Sequence, residues 1–139
     1  MKKLTTRLMI GALLIMFFSC SKKRELENTF ITQQNEYWDY NDNCEGHGNY
    51  FRFNKDGSHD KYNGFIDGSF ELFNNDGDVI SGPRTWSIKD DSTFVWDKEE
   101  YKIESCNKKK IILSYYHYKE KNKKCTVILT KVIALIYKR

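Results

Sequence analysis

"RTWSIKDDSTFVWDKEEYKI", residues 84–103, alternates large apolar and polar side chains on both sides of two tight reversals. Trp86 and Ile88, then Phe94 and Trp96, then Tyr101 and Ile103 share one phase. Thr85, Ser87 and Lys89, then Thr93 and Asp97, then Lys102 and, just beyond, Glu104 share the other. Successive side chains on a strand point to opposite faces, so this period of two places the first set against a core and the second in water. The stretch is read as three consecutive antiparallel strands with one buried face.

The same pattern extends in both directions. Short aromatic or β-branched runs at 36–41, 49–54, 59–65, 69–73, 84–89, 92–97, 100–106, 110–118 and 124–132 are separated by turn signals. "NKDG" (54–57) and "NNDG" (74–77) offer Asn and Asp side chains to the local backbone, and a glycine that accepts positive φ. "YFRFNKDG" and "SFELFNNDG" end alike, which reads as two similar hairpins, because a solenoid needs at least three repeats. In "IILSYYHYKEKNKKCTVILTK" (111–131) both phases are apolar or aromatic, as for strands covered on two sides or forming a rim. A meander of this length exposes two edges unless it closes. The expectation is an all-β domain, a small antiparallel up-and-down β-barrel of 8–9 strands.

The first residues differ in kind. Lys2, Lys3 and Arg7 precede an apolar run from Leu8 to Phe18 that stops at Ser19-Cys20. Eleven apolar residues are far short of the ~20 that span a bilayer, so the run is read as a signal peptide. Cleavage before Cys20 would make that residue the lipidated N-terminus, with several acyl chains giving firm membrane anchoring. The chain then divides into a signal peptide (1–19), a lipidated N-terminus and tether (20–34) and the β-barrel domain (35–139). The inferred location is the bacterial cell envelope, lipid-anchored at the outer membrane.

Of 23 basic residues three lie in this leader, leaving 20 against 19 acidic ones, a balance that does not point to nucleic acid. The charge is unevenly distributed: residues 25–97 hold 15 acidic and 5 basic residues, and 98–139 hold 12 basic and 4 acidic. Attraction between the halves of one domain is the simplest consequence.

With Cys20 lipidated, Cys44, Cys106 and Cys125 remain in a compartment that permits disulfides. A long strand separates Cys106 from Cys125, more than ~20 Å and beyond a disulfide's reach. Turn parity in a nine-strand meander favours Cys44 with Cys106. One strand more or fewer across 59–83 reverses the parity and makes Cys44 with Cys125 the pair.

Trp38, "FRFNKDGSHDKY", "TWSIKDDSTF", "YKIESC", "KKIILSYY" and "VILTK", in that order, resemble the lipocalin-like lipoproteins of Bacteroidota over about 95 residues. The resemblance implies a lipid-anchored, lipocalin-like β-barrel. The expected function is a non-catalytic binding module for a small apolar ligand, lipid or peptide, with Trp38, Phe51, Phe53, Trp86, Phe94 and Tyr115 as candidate pocket-lining residues. The alternative is an inhibitor or immunity-type lipoprotein that binds a toxin or lytic enzyme through its loops. An enzyme is not expected: in "SHD" (58–60) neighbours on a strand point apart, and no nucleophile elbow or phosphate loop is present. No cofactor or metal is expected either, since "CEGH" (44–47) lacks a second ligand pair. "YWDY" and "SYYHYK" are the stretches best suited to a cavity or mouth, Tyr joining an apolar body to a hydroxyl.

Overall fold

The computed structural model describes residues 22–73 and 84–134. Cys20, the leader, "NNDG" and Leu135 to Tyr137 lie outside the described residues.

The segment expected as a tether is folded. Residues 22–30 form a helix, α1, closed by the bond from Ile31 N to Glu27 O at 3.1 Å. The segment holds few apolar residues, but Leu26 and Phe30 are four apart, one above the other on a single helix face. Phe30 is fully buried, and Leu26 and Ile31 pack against the core beside it. Average polarity misled here because spacing, rather than content, sets the buried stripe.

Nine strands follow: β1 (Glu36–Asp42), β2 (Gly46–Phe53), β3 (His59–Gly64), β4 (Phe70–Leu72), β5 (Trp86–Asp90), β6 (Thr93–Trp96), β7 (Glu99–Cys106), β8 (Lys110–Tyr116) and β9 (Lys124–Ile133). They form a single sheet in the order β4-β3-β2-β1-β9-β8-β7-β6-β5, with every pair antiparallel. The all-β antiparallel reading holds, and so does the phase of the deciding stretch. Trp86, Ile88, Phe94 and Trp96 are buried, while Ser87, Lys89, Lys102 and Glu104 are exposed.

The expected barrel closure does not form. β4 and β5 are the free edges of the sheet; the gap is crossed by the turn before β3 and its first residue, through an isolated bridge of Ser58 with Thr85 and the bonds from Trp86 N to Gly57 O at 2.8 Å and from His59 N to Arg84 O at 3.3 Å. The reason is parity. Eight antiparallel pairings separate the edge strands, so β4 and β5 run in the same direction and cannot complete an antiparallel ladder with each other. β1 and β9 instead pair along their length, from Glu36 opposite Ile133 to Asp42 opposite Val127.

This topology corrects the disulfide. Because β4 and β5 are codirectional, their connection does not reverse the chain, and every later turn moves to the other end of the sheet. Cys44 therefore bonds Cys125, with Cα atoms 5.7 Å apart, and Cys106 is a free thiol, so the expected Cys44–Cys106 bridge is absent. Cys106 and Cys125 lie opposite Ile111 and Tyr115 at the two ends of β8, which agrees with excluding that pair.

The concave face holds an aromatic core around Phe30, whose ring is 4.4 Å from Phe94, 5.9 Å from Phe53 and 6.1 Å from Trp86. Trp38 Nε1 donates to Phe30 O at 2.8 Å, fastening the end of α1 to β1. The convex face of β1 to β4 carries a second cluster, with Phe70 stacked 4.0 Å from Tyr37 and Tyr62 edge-on to Tyr37 at 5.0 Å. Tyr50 lies across Gly64, where an added Cβ would collide with its ring.

Candidate functional site

α1 covers one end of the curled sheet. Its residues Arg24, Glu25 and Asn28 flank Glu36 at the start of β1, Cys106 at the end of β7 and Lys131 near the end of β9. A recess of about 870 Å³ runs beside it, but its walls are mostly long polar side chains. Its one strongly placed cation, Lys131, is already engaged over Trp38 at 4.5 Å and with Glu36 at 3.3 Å. Burial, then the nearby Glu25, push the Cys106 thiol up to about 11, so it is no ready nucleophile.

The opposite end is different in chemistry. Where β1 and β8 end and β7 begins, Tyr40, Tyr101, Tyr115, Tyr116 and Tyr118 line a recess of about 380 Å³. Glu45, Glu99 and Glu100 form its acidic rim. Tyr40 shares the inward phase of Trp38 on β1, Tyr115 that of Leu113 on β8, and the loop after β8 carries Tyr118.

At the floor sits Asp42, only 1% exposed. Its Oδ2 accepts from Tyr115 Oη at 2.7 Å and Tyr40 Oη at 2.9 Å; its Oδ1 accepts from Cys44 N at 2.7 Å and Glu45 N at 3.3 Å. Four donors offset the desolvation of this buried carboxylate without a cation. Burial, reinforced by the bond to Asp42, raises both Tyr40 and Tyr115 well above the usual phenol range. Burial, with Glu99 and Asp42 adding repulsion, pushes Tyr101 up to about 12. These phenols stay protonated and neutral, and the local field is negative.

The disulfide pins this floor. Cys44 and Cys125 lie beside Asp42, and the three could together resemble a metal cluster. Disulfide sulfurs are not thiolates, so the cluster offers a cation only the Asp42 carboxylate. His47 of "CEGH" turns away, its Nε2 2.9 Å from Asp39 Oδ1.

"SHD" splits as its alternation requires: His59 is buried inside, and Asp60 accepts from Asn54 Nδ2 on the other side. His59 Nε2 lies 2.8 Å from Asp97 Oδ1 and also 3.1 Å from Trp96 Nε1, which donates to it; the two compete for one nitrogen. Among the described residues His59 Nδ1 has no partner, and no hydroxyl or thiol is bonded to the ring. The pair, together with the bond from Thr85 N to Asp97 Oδ1 at 2.9 Å, fastens β3 to the β5–β6 hairpin across the open edge.

The six sequence-predicted pocket residues are all inward-facing, and all but Tyr115 pack into the aromatic core without lining a recess among the described residues. Trp38, Phe53 and Phe94 are fully buried and Trp86 nearly so, while Phe51 lies 4.7 Å from Trp96. Phe30, contributed by the segment read as a tether, occupies the centre of that cluster. Of the six, only Tyr115 lines the tyrosine recess. The aromatic stretches "YWDY" and "SYYHYK" contribute Tyr40, Tyr115, Tyr116 and Tyr118 to this recess. Asp42 carried a readable signal too: it continues the inward phase of Trp38 and Tyr40 as a charged residue. Glu45 and Glu99 gave none, and Tyr101, read only as an inward-facing core residue, joins them through strand order alone. Comparison of the chain with family models, with curated proteins and with solved structures found no match.

Proposed function

We propose that this chain is a non-catalytic binding module, lipid-anchored through Cys20 in the cell envelope, whose recognition surface is the tyrosine-lined mouth. The observation that carries this is the contrast between the two ends. The apolar interior is filled by Phe30 and the strand aromatics, whereas the mouth presents five tyrosine rings over a buried carboxylate. A carrier of apolar ligands needs an empty apolar interior of roughly 300 Å³ or more, and the packed core does not favour that use. The described chain begins with α1, so an anchor at Cys20 would attach at that end of the sheet, opposite the mouth. Tyr116 and Tyr118, 67% and 70% exposed on the rim, favour a partner that docks from outside, as the inhibitor-type reading requires.

The test is photo-crosslinking in cells of the source organism, with a benzophenone amino acid replacing Tyr118 at the mouth or Tyr62 on the convex wall. A discrete adduct from position 118 and none from position 62 is expected. Equal labelling at the two positions, or no adduct from 118, refutes the mouth as the recognition surface.

A further inference from the structure

The mouth combines features that together select one ligand chemistry. Five tyrosine side chains line one recess, and an exposed tyrosine ring face attracts cations. Beneath them Asp42 is neutralised by hydrogen bonds alone, with no cation bonded to it among the described residues. On the rim, Glu100 is engaged by Lys89 and Glu45 by His117 Nε2 at 3.5 Å, while Glu99 has no ion-pair partner among the described residues. An anion would meet three lining carboxylates here with Asp42 behind them, and a neutral apolar group would strip water from the three without compensation.

The chain also holds an internal example of the interaction. Lys119, from the loop that carries Tyr118, places its ammonium 5.2 Å from the Tyr118 ring centroid. The bond to Tyr118, with attraction from Glu45 behind it, holds that ammonium's pKa above the usual lysine range. Lys119 is not among the residues lining the recess, but it shows that Tyr118 is accessible to an ammonium from its outer side.

Size narrows the choice. At about 380 Å³ the recess lies at the small end of ligand pockets, a size that accommodates one long side chain entering from above. Its exposed rim leaves space above for the body that carries that side chain. Building on the binding-module reading, we propose that the mouth is a receptor for an organic cation, the ammonium or guanidinium group of a lysine or arginine side chain on a partner polypeptide. Tyr118 and Tyr116 would stack against the cation, Glu99 would pair with it, and Asp42 would supply the field from below.

The experiment is a titration of the full chain in detergent micelles with the capped peptide Gly-Lys-Gly, reading the tyrosine ring resonances by NMR. The comparison probes are the same peptide acetylated on its lysine, capped Gly-Glu-Gly, and the free diamine cadaverine. Saturable shifts at Tyr116 and Tyr118 with the lysine peptide, and none with the acetylated or acidic peptides, are expected. Exposed aromatic and charged contacts to a cation each contribute modestly, so Tyr118→Leu and Glu99→Gln should each weaken binding about 3- to 10-fold. Lys119→Ala, which removes the internal competitor, should strengthen it about 2- to 5-fold. All three positions are exposed, so the variants should fold.

Equal binding of the acetylated peptide would overturn the cation assignment while leaving the mouth as a binding surface. Cadaverine binding without peptide binding would overturn the assignment to a polypeptide. No tyrosine shift with about 20 mM lysine peptide, a concentration that reveals even millimolar affinity, would overturn the proposal outright. The Tyr118 crosslink does not depend on ligand charge, so an adduct there alongside a failed titration refutes this inference and spares the function.

Discussion

Truncating Phe30 tests whether the N-terminal segment belongs to the fold. Phe30 is fully buried, with rings of Phe94, Phe53 and Trp86 between 4.4 and 6.1 Å from its own. Phe30→Ala removes a benzene-sized group whose transfer from water is worth about 2 kcal/mol. It also leaves a void of roughly 100 Å³ which, at about 24 cal/mol per Å³, costs another ~2.4 kcal/mol. The expected loss is therefore about 4 to 5 kcal/mol, a large part of the ~5–15 kcal/mol that holds a domain of this size together. Guanidinium unfolding of the full chain, followed by the fluorescence of Trp38, Trp86 and Trp96, measures it. Phe30→Leu, which refills most of the space, should cost well under half as much. The void is apolar and should stay dry, so benzene should bind Phe30→Ala and restore part of the lost stability. A loss below about 1 kcal/mol would refute the reasoning, since α1 would then contribute as little as a solvated tether.

Three further outcomes follow from particular contacts. Non-reducing peptide mapping should link the Cys44 and Cys125 peptides; Cys44→Ala with Cys125→Ala should cost about 4.5 kcal/mol in the chain-entropy model for an 81-residue loop, and a Cys44–Cys106 linkage would refute the topology. The Lys124 ammonium, then Ser114 and Lys102, hold Glu104 down at about 2, so its stabilising ionisation is complete above the unfolded value of 4.5 and lost as pH falls through 2; an NMR titration midpoint near 4.5 would contradict this. Burial lowers His59 despite Asp97, so the unfolded chain takes up that proton first as pH falls below 6.5; the midpoint of unfolding should drop over that range in the parent and drop less in His59→Gln.

What could be read without coordinates was what depends on near neighbours in the chain. Alternation in residues 84–103 placed Trp86, Ile88, Phe94 and Trp96 on the buried face, because a strand's period is fixed by its own backbone. The Asp-Gly-Ser turn after β2 was legible for the same reason: Gly57 adopts φ 84° and Asp56 Oδ1 accepts from Ser58 N at 2.9 Å, all within three residues.

Long-range pairing decided the rest. A single connection that does not reverse the chain, between β4 and β5, moved the sheet's opening from the ends of the chain to its middle and exchanged Cys106 for Cys125 as the partner of Cys44. No local pattern records that, since parity counts every turn at once. The mouth is a product of the same pairing: Asp42, Tyr101 and Tyr115 are far apart in sequence, and they meet only because β1 lies beside β9, β9 beside β8 and β8 beside β7. The sequence determined which residues face inward. Only the tertiary structure decided that one end is stoppered by Phe30 and the other left open over a buried carboxylate.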